Sequence, residues 1–362
     1  MERFSSKEKT TLRTCGDKEA TSLSCPMKNS YPIAAENRRV NNMNTENAVV
    51  RQTKSKKKPI LRNIVVVVII VFVAILIVMP IFVLSMFVGK RYEQEQFNSI
   101  DNGISSERIT LTTDDDISLA AWRTYADESK GTIIILSGIQ NPSVTAFFGY
   151  AKMFADNGWD SLLIEMRARS ESEGDEIGLG MTEWRDAKAG VDFLSSETSV
   201  KDLPIVLMGT SMGGTTVITA AGELPAVDAV ISASAYSSFT SMAVTVMPNV
   251  GIPKAIAIVD LPFLNLVTGF YYGFDKLKYS AINGIAKLEE RPILLMHSTE
   301  DTQVPFSEFE KLLNEADKNN INVTTFIREG DEHIICYEQY IFNPAEDAEF
   351  ARAVLGFLND NF

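Results

Sequence analysis

The sequence predicts an α/β fold, a mostly parallel sheet with helices on both faces, preceded by one transmembrane helix. Three observations carry this. From residue 105 onward, short apolar runs alternate with stretches of helical periodicity, the pattern of strands joined by crossover helices. The run from Ile64 to Val88, IVVVVIIVFVAILIVMPIFVLSMFV, is 25 residues long and has no charge. The chain of 362 residues is 45% hydrophobic and 22% charged, which suits a globular protein with a large core.

Residues 1–59 are polar, rich in Ser, Thr, Asn and Lys, and lack a periodic apolar pattern, so a disordered basic tail is expected there. Within it, Met43 opens MNTENAVVRQTKSKKK, which reads as a start in its own right; N-terminal sequencing distinguishes it from Met1. The apolar helix is placed at 60–89. At about 1.5 Å per residue it exceeds a hydrocarbon core of roughly 30 Å. Pro80 is tolerated inside such a span, because neighbouring groups re-satisfy the freed carbonyl. A signal peptide has a shorter apolar region and a small-residue cleavage site. Here Gly89, Lys90, Arg91 and Tyr92 follow, so an uncleaved anchor is expected.

Arg51, Lys54, Lys56, Lys57, Lys58 and Arg62 precede the span, and only Lys90 and Arg91 follow closely. The N-terminus is therefore expected to be cytoplasmic and the large C-terminal part extracytoplasmic, in a single-pass protein of the cell membrane. Residues 1–91 hold 16 Lys and Arg against 6 Asp and Glu, and residues 92–362 hold 18 against 41. The basic stretch suits an anionic inner leaflet. The acidic domain is unsuited to nucleic acid, whose binding needs Lys and Arg on phosphates. Its acidity reads as a solvated surface. Cys15 and Cys25 lie in the tail and Cys336 stands alone in the domain, so no internal bridge is expected there. Cys336 reads as a small apolar residue rather than a thiol nucleophile.

After a polar connector, 90–104, the elements follow in order. RITLT (108–112) and ISLAAWRTY (117–125) read as paired strands around Asp114-Asp115-Asp116. TIIILS (132–137) is a buried strand, 144–157 a helix ending at Asn157-Gly158, and DSLLIEM (160–166) a strand. Residues 182–197 read as a helix capped by Thr182. PIVLMG (204–209) is a strand, Met212 to Leu224 a helix, and VDAVISASA (227–235), PILLMHS (292–298) and VTTFIRE (323–329) are strands. A last helix covers about 345–358.

PIVLMGTSMGG ends a buried strand on Ser211, with Gly209 two positions before and Gly213 two after. A sharp strand-to-helix turn lifts such a hydroxyl clear of the sheet, and glycine is used where side chains would strike backbone. The helix N-terminus adds free N–H groups beside it. Serine is a weak nucleophile and needs a base. The chain has two histidines. His333, in EGDEHIICY, lies on a loop after the last strand, whereas His297 lies within a strand and reads as packing near the site. An acid must orient the imidazole. Asp301 in HSTEDTQVP follows the strand before the histidine's strand, and Glu300 is the near alternative. The chain order becomes Ser211, Asp301, His333.

GTSMGG, HSTEDTQVP and GDEH, in that order, resemble the alpha/beta-hydrolase superfamily. More narrowly they resemble its membrane-anchored serine-hydrolase branch, akin to serine-aminopeptidase-like and alpha/beta-hydrolase-domain proteins. The resemblance covers about 105–362 and implies an alpha/beta-hydrolase fold with a helical cap. EMRARSES (165–172) matches the family's D-x-R-G-x-G-x-S stretch, with Glu165 for the aspartate and Ala168 and Ser170 for the glycines; Arg167 and Ser172 remain. The resemblance implies an oxyanion hole from the amides of Met212 and Ile139. The second lies in LSGIQNPS, where Ser137-Gly138 stands for the family's His-Gly. It also places the cap over the site at about 239–290, an apolar insertion containing Phe263, Phe270, Tyr271, Tyr272 and Phe274. That insertion reads equally as a lid over an acyl pocket and as ordinary helix packing.

No Walker loop, dinucleotide fingerprint or metal-ligand spacing is present in the sequence, and the chemistry expected here needs no cofactor or metal. The expected function is a serine hydrolase acting on a carboxylic ester or thioester, with a small-molecule or lipid-like acyl substrate. The alternatives are a peptidase or amidase of the same fold and a non-catalytic membrane-anchored binding protein. The sequon Asn322-Val323-Thr324 falls on a strand and is expected to stay unused.

Overall fold

The computed structural model describes residues 57–139 and 142–362. The expected basic tail, Cys15, Cys25 and the Met43 start lie outside the described residues. The chain opens with α1 (Lys57–Ser85), whose apolar side chains from Ile64 to Ile75 face outward. Its length and composition suffice to cross a membrane. A hairpin follows, β1 (Glu107–Thr112) and β2 (Ser118–Thr124), antiparallel as expected.

The doubly covered body comes next: β3 (Thr132–Leu136), α2 (Phe148–Ala155), β4 (Asp160–Ile164), α3 (Trp184–Ser196), β5 (Ile205–Thr210) and α4 (Met212–Glu223). Beyond them lie β6 (Ala229–Ala233), α5 (Phe239–Val246), α6 (Lys254–Tyr272) and α7 (Ala281–Ile285). The chain ends through β7 (Ile293–Ser298), α8 (Phe306–Lys318), β8 (Val323–Arg328) and α9 (Ala348–Asn361). The eight-stranded sheet has the order β1-β2-β4-β3-β5-β6-β7-β8. Only β1/β2 and β2/β4 pair antiparallel; β3 to β8 are parallel throughout.

The strands read as continuous apolar runs because both faces are buried. Successive residues point to opposite sides. Ile134, Leu136, Leu162, Leu207 and Val230 enter one core with α3, α4 and α8. Ile133, Ile135, Leu163, Met208 and Ile231 enter the other with α2 and α9.

Two expectations are corrected. Thr182 does not cap α3, which begins at Trp184. The Glu183 carboxylate instead accepts the amides of Gly178 and Gly180 at 2.6 and 2.9 Å, binding the preceding turn to the helix start. The amphipathic α8 was not expected, although Phe309, Leu312 and Ala316 give it an inward face. Its buried Glu308 accepts from Ser237 N and Oγ and from the hydroxyls of Ser241 and Thr245, tying α8 to α5.

Candidate active site

Ser211 stands where β5 turns into α4, with φ 59° and ψ −122°. Residues with a side chain rarely adopt a positive φ, and such strain is found where surrounding structure over-determines it. Here Ser211 N donates to Ala233 O at 2.8 Å, and Thr215 N donates to Ser211 O at 3.0 Å. The flanking glycines are required by backbone contact. A Cβ on Gly209 would strike Gly213 O, and one on Gly213 would lie 2.5 Å from both Leu136 O and Ser137 O. Ser211 is half-buried.

The parallel strands β5, β7 and β8 deliver Ser211, Asp301 and His333 to the same edge of the sheet. Asp301 and His333 meet there: His333 Nδ1 donates to Asp301 Oδ2 at 2.8 Å. Asp301 Oδ1 accepts the amides of Gln303 and Val304, both at 2.9 Å, so the carboxylate is held from two sides. Burial pushes the Asp301 carboxyl up, but the hydrogen bond and charge of His333 and the Val304 amide outweigh it and leave the group below its usual range. The His333 side chain is 13% exposed and that of Asp301 fully enclosed. An imidazole reachable from solvent and a buried carboxylate are thereby arranged as a pair. Glu300, the near alternative, is exposed; its backbone N donates to Gly330 O at 2.9 Å.

Among the described residues neither Ser211 Oγ nor His333 Nε2 has a hydrogen-bond partner. Hydrogen bonds of this kind commonly tighten only when substrate binds. His297 is buried in the core: its Nε2 donates to Val304 O at 2.8 Å, and its ring packs on Phe306 and Phe309. Burial lowers its pKa. Ile139 lies in the loop after β3, and that loop touches the serine. A Cβ on Gly138 would lie 3.3 Å from Ser211 Cβ. Met212 opens α4, where amides lack intrahelical partners.

The loop at 165–172 carries one residue that sequence reasoning passed over, Arg169, between two that it named. Ala168 and Ser170, at the positions of the family's glycines, have φ of 58° and 22°. Hydrogen bonds from Tyr92 N to Ala168 O and from Ser170 N to Tyr92 O, at 2.9 and 3.0 Å, hold this shape without glycine. Between them Arg169 is fully buried, its Nη2 4.0 Å from Met212 Sδ and its Nε without a partner. Burial pulls the guanidinium below its usual value, against the opposing pull of Glu183, Asp186 and Glu165. The apolar spacing gave no signal for a buried cation here.

A cavity of ≈ 220 Å³ opens one turn of α4 beyond the serine, lined by Thr215, Leu179, Met181, Phe239 and Leu261 among others. No cluster of three or more His, Cys, Asp or Glu suited to a metal occurs among the described residues.

Comparison with known proteins agrees with the fold. Residues 127–257 match the serine aminopeptidase S33 family, and residues 264–362 match the prolyl oligopeptidase family. The chain is 24% identical over 295 residues to the uncharacterized protein YfhR of Salmonella typhi, covering 75% of this chain and 92% of that one. It is 26% identical over 213 residues to the uncharacterized protein YqkD of Bacillus subtilis, covering 58% and 67%. The Pyrococcus furiosus esterase Pf2001 superposes with a TM-score of 0.58 at 19% identity, covering 75% of this chain and 98% of that one. The acylaminoacyl peptidase of Pyrococcus horikoshii superposes with a TM-score of 0.54 at 16% identity, covering 72% and 42%.

Proposed function

We propose that this chain, a member of the alpha/beta-hydrolase superfamily, is a membrane-anchored serine hydrolase that cleaves a carboxylic ester or thioester through an acyl-enzyme on Ser211. The observation that carries the reading is the His333–Asp301 hydrogen bond at the sheet edge where Ser211 is held in a strained turn. In this mechanism His333 Nε2 takes the Ser211 proton as Oγ attacks the acyl carbon. The amides of Met212 and Ile139 receive the charge that develops on the carbonyl oxygen; each such donor is worth about 2.7–4 kcal/mol. His333 then protonates the leaving group, and a water activated by the same imidazole cleaves the acyl-enzyme. Asp301 remains ionised and steadies the imidazolium.

The cavity beyond Thr215 has room for a small acyl group against Leu179, Met181, Phe239 and Leu261, beside the polar Ser238, Ser241, Asn265 and Asn283, and the likeness to the Pf2001 esterase supports an ester. On this reading α1 crosses the membrane, with the N-terminus cytoplasmic and the hydrolase domain at 105–362 outside. The helices α5 and α6 form the cap. A second reading, a peptidase or amidase, draws support from the serine aminopeptidase match and the acylaminoacyl peptidase likeness. A fluorophosphonate probe tests serine chemistry: the wild type takes the tag and Ser211→Ala does not. Tagging of both would remove Ser211 from the mechanism. A panel of p-nitrophenyl esters and aminoacyl substrates then separates the two readings.

A further inference from the structure

We propose that α6 lies in the outer lipid interface, with its exposed apolar stripe in contact with the bilayer that α1 crosses. This rests on the reading of α1 as an anchor. The helix reads KAIAIVDLPFLNLVTGFYY and carries two charged residues, Lys254 at its start and Asp260, which is 2% exposed on the inner side. Its outward residues are Ala255, Ile258, Val259, Pro262, Leu266 and Phe270. Steps of three or four residues make these one continuous stripe. A helix facing water carries polar side chains on that side. Here the stripe has none between Lys254 at its first turn and Tyr271 at its end. Phe270 is 76% exposed, and Val250 in the preceding turn is 78% exposed. An exposed patch of this kind marks an interaction surface.

The position of α1 identifies the occupant. The main neighbour of α1 among the described elements is α6. The buried residues of α1 are Leu76, Pro80 and Leu84, one stripe in its C-terminal half. Counted from Ile64, a hydrocarbon core of roughly 30 Å takes about 20 residues, so it ends near position 83. The contact with α6 therefore falls at the depth of the outer leaflet. The polar end of α6 marks the upper boundary. Tyr271 Oη donates to Glu176 Oε2 at 2.7 Å, and Gly89 N, just past α1, donates to the same oxygen at 3.2 Å. Paired Tyr271 and Tyr272 rings beside Lys90 and Arg91 are the residue types of a membrane interface. Leu261 on the other flank of α6 lines the cavity near Ser211. The helix thus separates lipid from the acyl cavity, and the acyl substrate enters from the bilayer.

The test uses the full chain in phosphatidylcholine vesicles, with Cys15→Ser and Cys25→Ser and an environment-sensitive fluorophore on Leu266→Cys. The expected result is quenching by nitroxide-labelled acyl chains and shielding from iodide. Parallel labels on Val73→Cys in α1 and on exposed Lys318→Cys serve as lipid and water references. Lipid contact at position 73 with iodide access at 266 would overturn the proposal and leave the anchor intact. Water at both positions would overturn the two together. Shielding of position 266 from both quenchers would assign the stripe to a second copy of the chain and overturn the lipid assignment. In a functional arm, combined Leu266→Glu and Phe270→Glu slow turnover of a vesicle-borne long-chain ester about tenfold. Hydrolysis of a soluble short-chain ester stays unchanged; equal losses on both substrates would count against entry from the bilayer.

Discussion

At Ser211 the positive φ costs of order 1–3 kcal/mol, which the contacts of β6 and α4 must hold in place. His333 and Asp301 are joined by a bond whose removal has distinct signatures. His333→Ala and Asp301→Asn are each expected to lower kcat by about 10⁴-fold with little change in KM, measured on a p-nitrophenyl ester. Retention of activity in His333→Ala would exclude this histidine as the base. The Asp301 carboxyl is held below its ordinary range, so its stabilisation is full above the unfolded pKa and is lost as pH falls through the lower folded value. Wild type should therefore lose more stability than Asp301→Asn between about pH 5 and 3, read from denaturant midpoints. Burial and the Asp347 carboxylate push the Cys336 thiol up to about 12, and the residue is 1% exposed. Iodoacetamide should leave Cys336 untouched at neutral pH and alkylate it only in denaturant.

Among the elements, the β5–α4 elbow and the α8–α5 junction do the positioning. The elbow was legible because Gly-x-Ser-x-Gly follows an apolar run, and each glycine proves to face backbone. Gly213→Ala should cost about 1–3 kcal/mol and suppress fluorophosphonate labelling, since its Cβ meets two carbonyls that cannot retreat. The α8 junction was not legible, because a carboxylate on an amphipathic helix reads as solvated until its partners are known. Burial pushes Glu308 up, but Lys311 and Ser237 outweigh it and hold it ionised. Glu308→Leu removes the acceptor of the Ser237 and Ser241 hydroxyls and the one carboxylate that pairs with Lys311. We expect a loss of about 3 kcal/mol, read as a lower urea midpoint, with α5 the first element to exchange amide hydrogens.

Over the whole molecule, the segment after α1 is a strap rather than a free tether. Arg91 donates to the carbonyls of Ser170, Ser172 and Gly174 at 3.1, 2.9 and 2.6 Å, and Gln96 donates to Glu165 at 2.8 Å. The strap therefore grips the loop that also carries Arg169 beneath Met212. Composition showed only a polar stretch at 90–104, since its partners lie some eighty residues away in sequence. Removing residues 1–85 should uncover the face of α6 that packs on α1. Such a truncated chain is expected to self-associate without detergent and to become monomeric when detergent is added, as measured by light scattering. A monodisperse monomer in plain buffer would show that α1 shields nothing the domain needs covered.

The sequence by itself determined the parallel sheet, the apolar N-terminal helix and the serine elbow, because these depend on local periodicity and on contacts within one turn of chain. It also narrowed the candidate base to one of two histidines and the candidate acid to Asp301 or Glu300. The tertiary structure decided which acid meets His333, how Ala168 and Ser170 hold glycine-like angles, and where Glu308 and Arg169 are buried. Those outcomes depend on desolvation and hydrogen bonding between segments distant in sequence. The charge of a side chain is written in the chain, whereas its burial and its partner are set by packing.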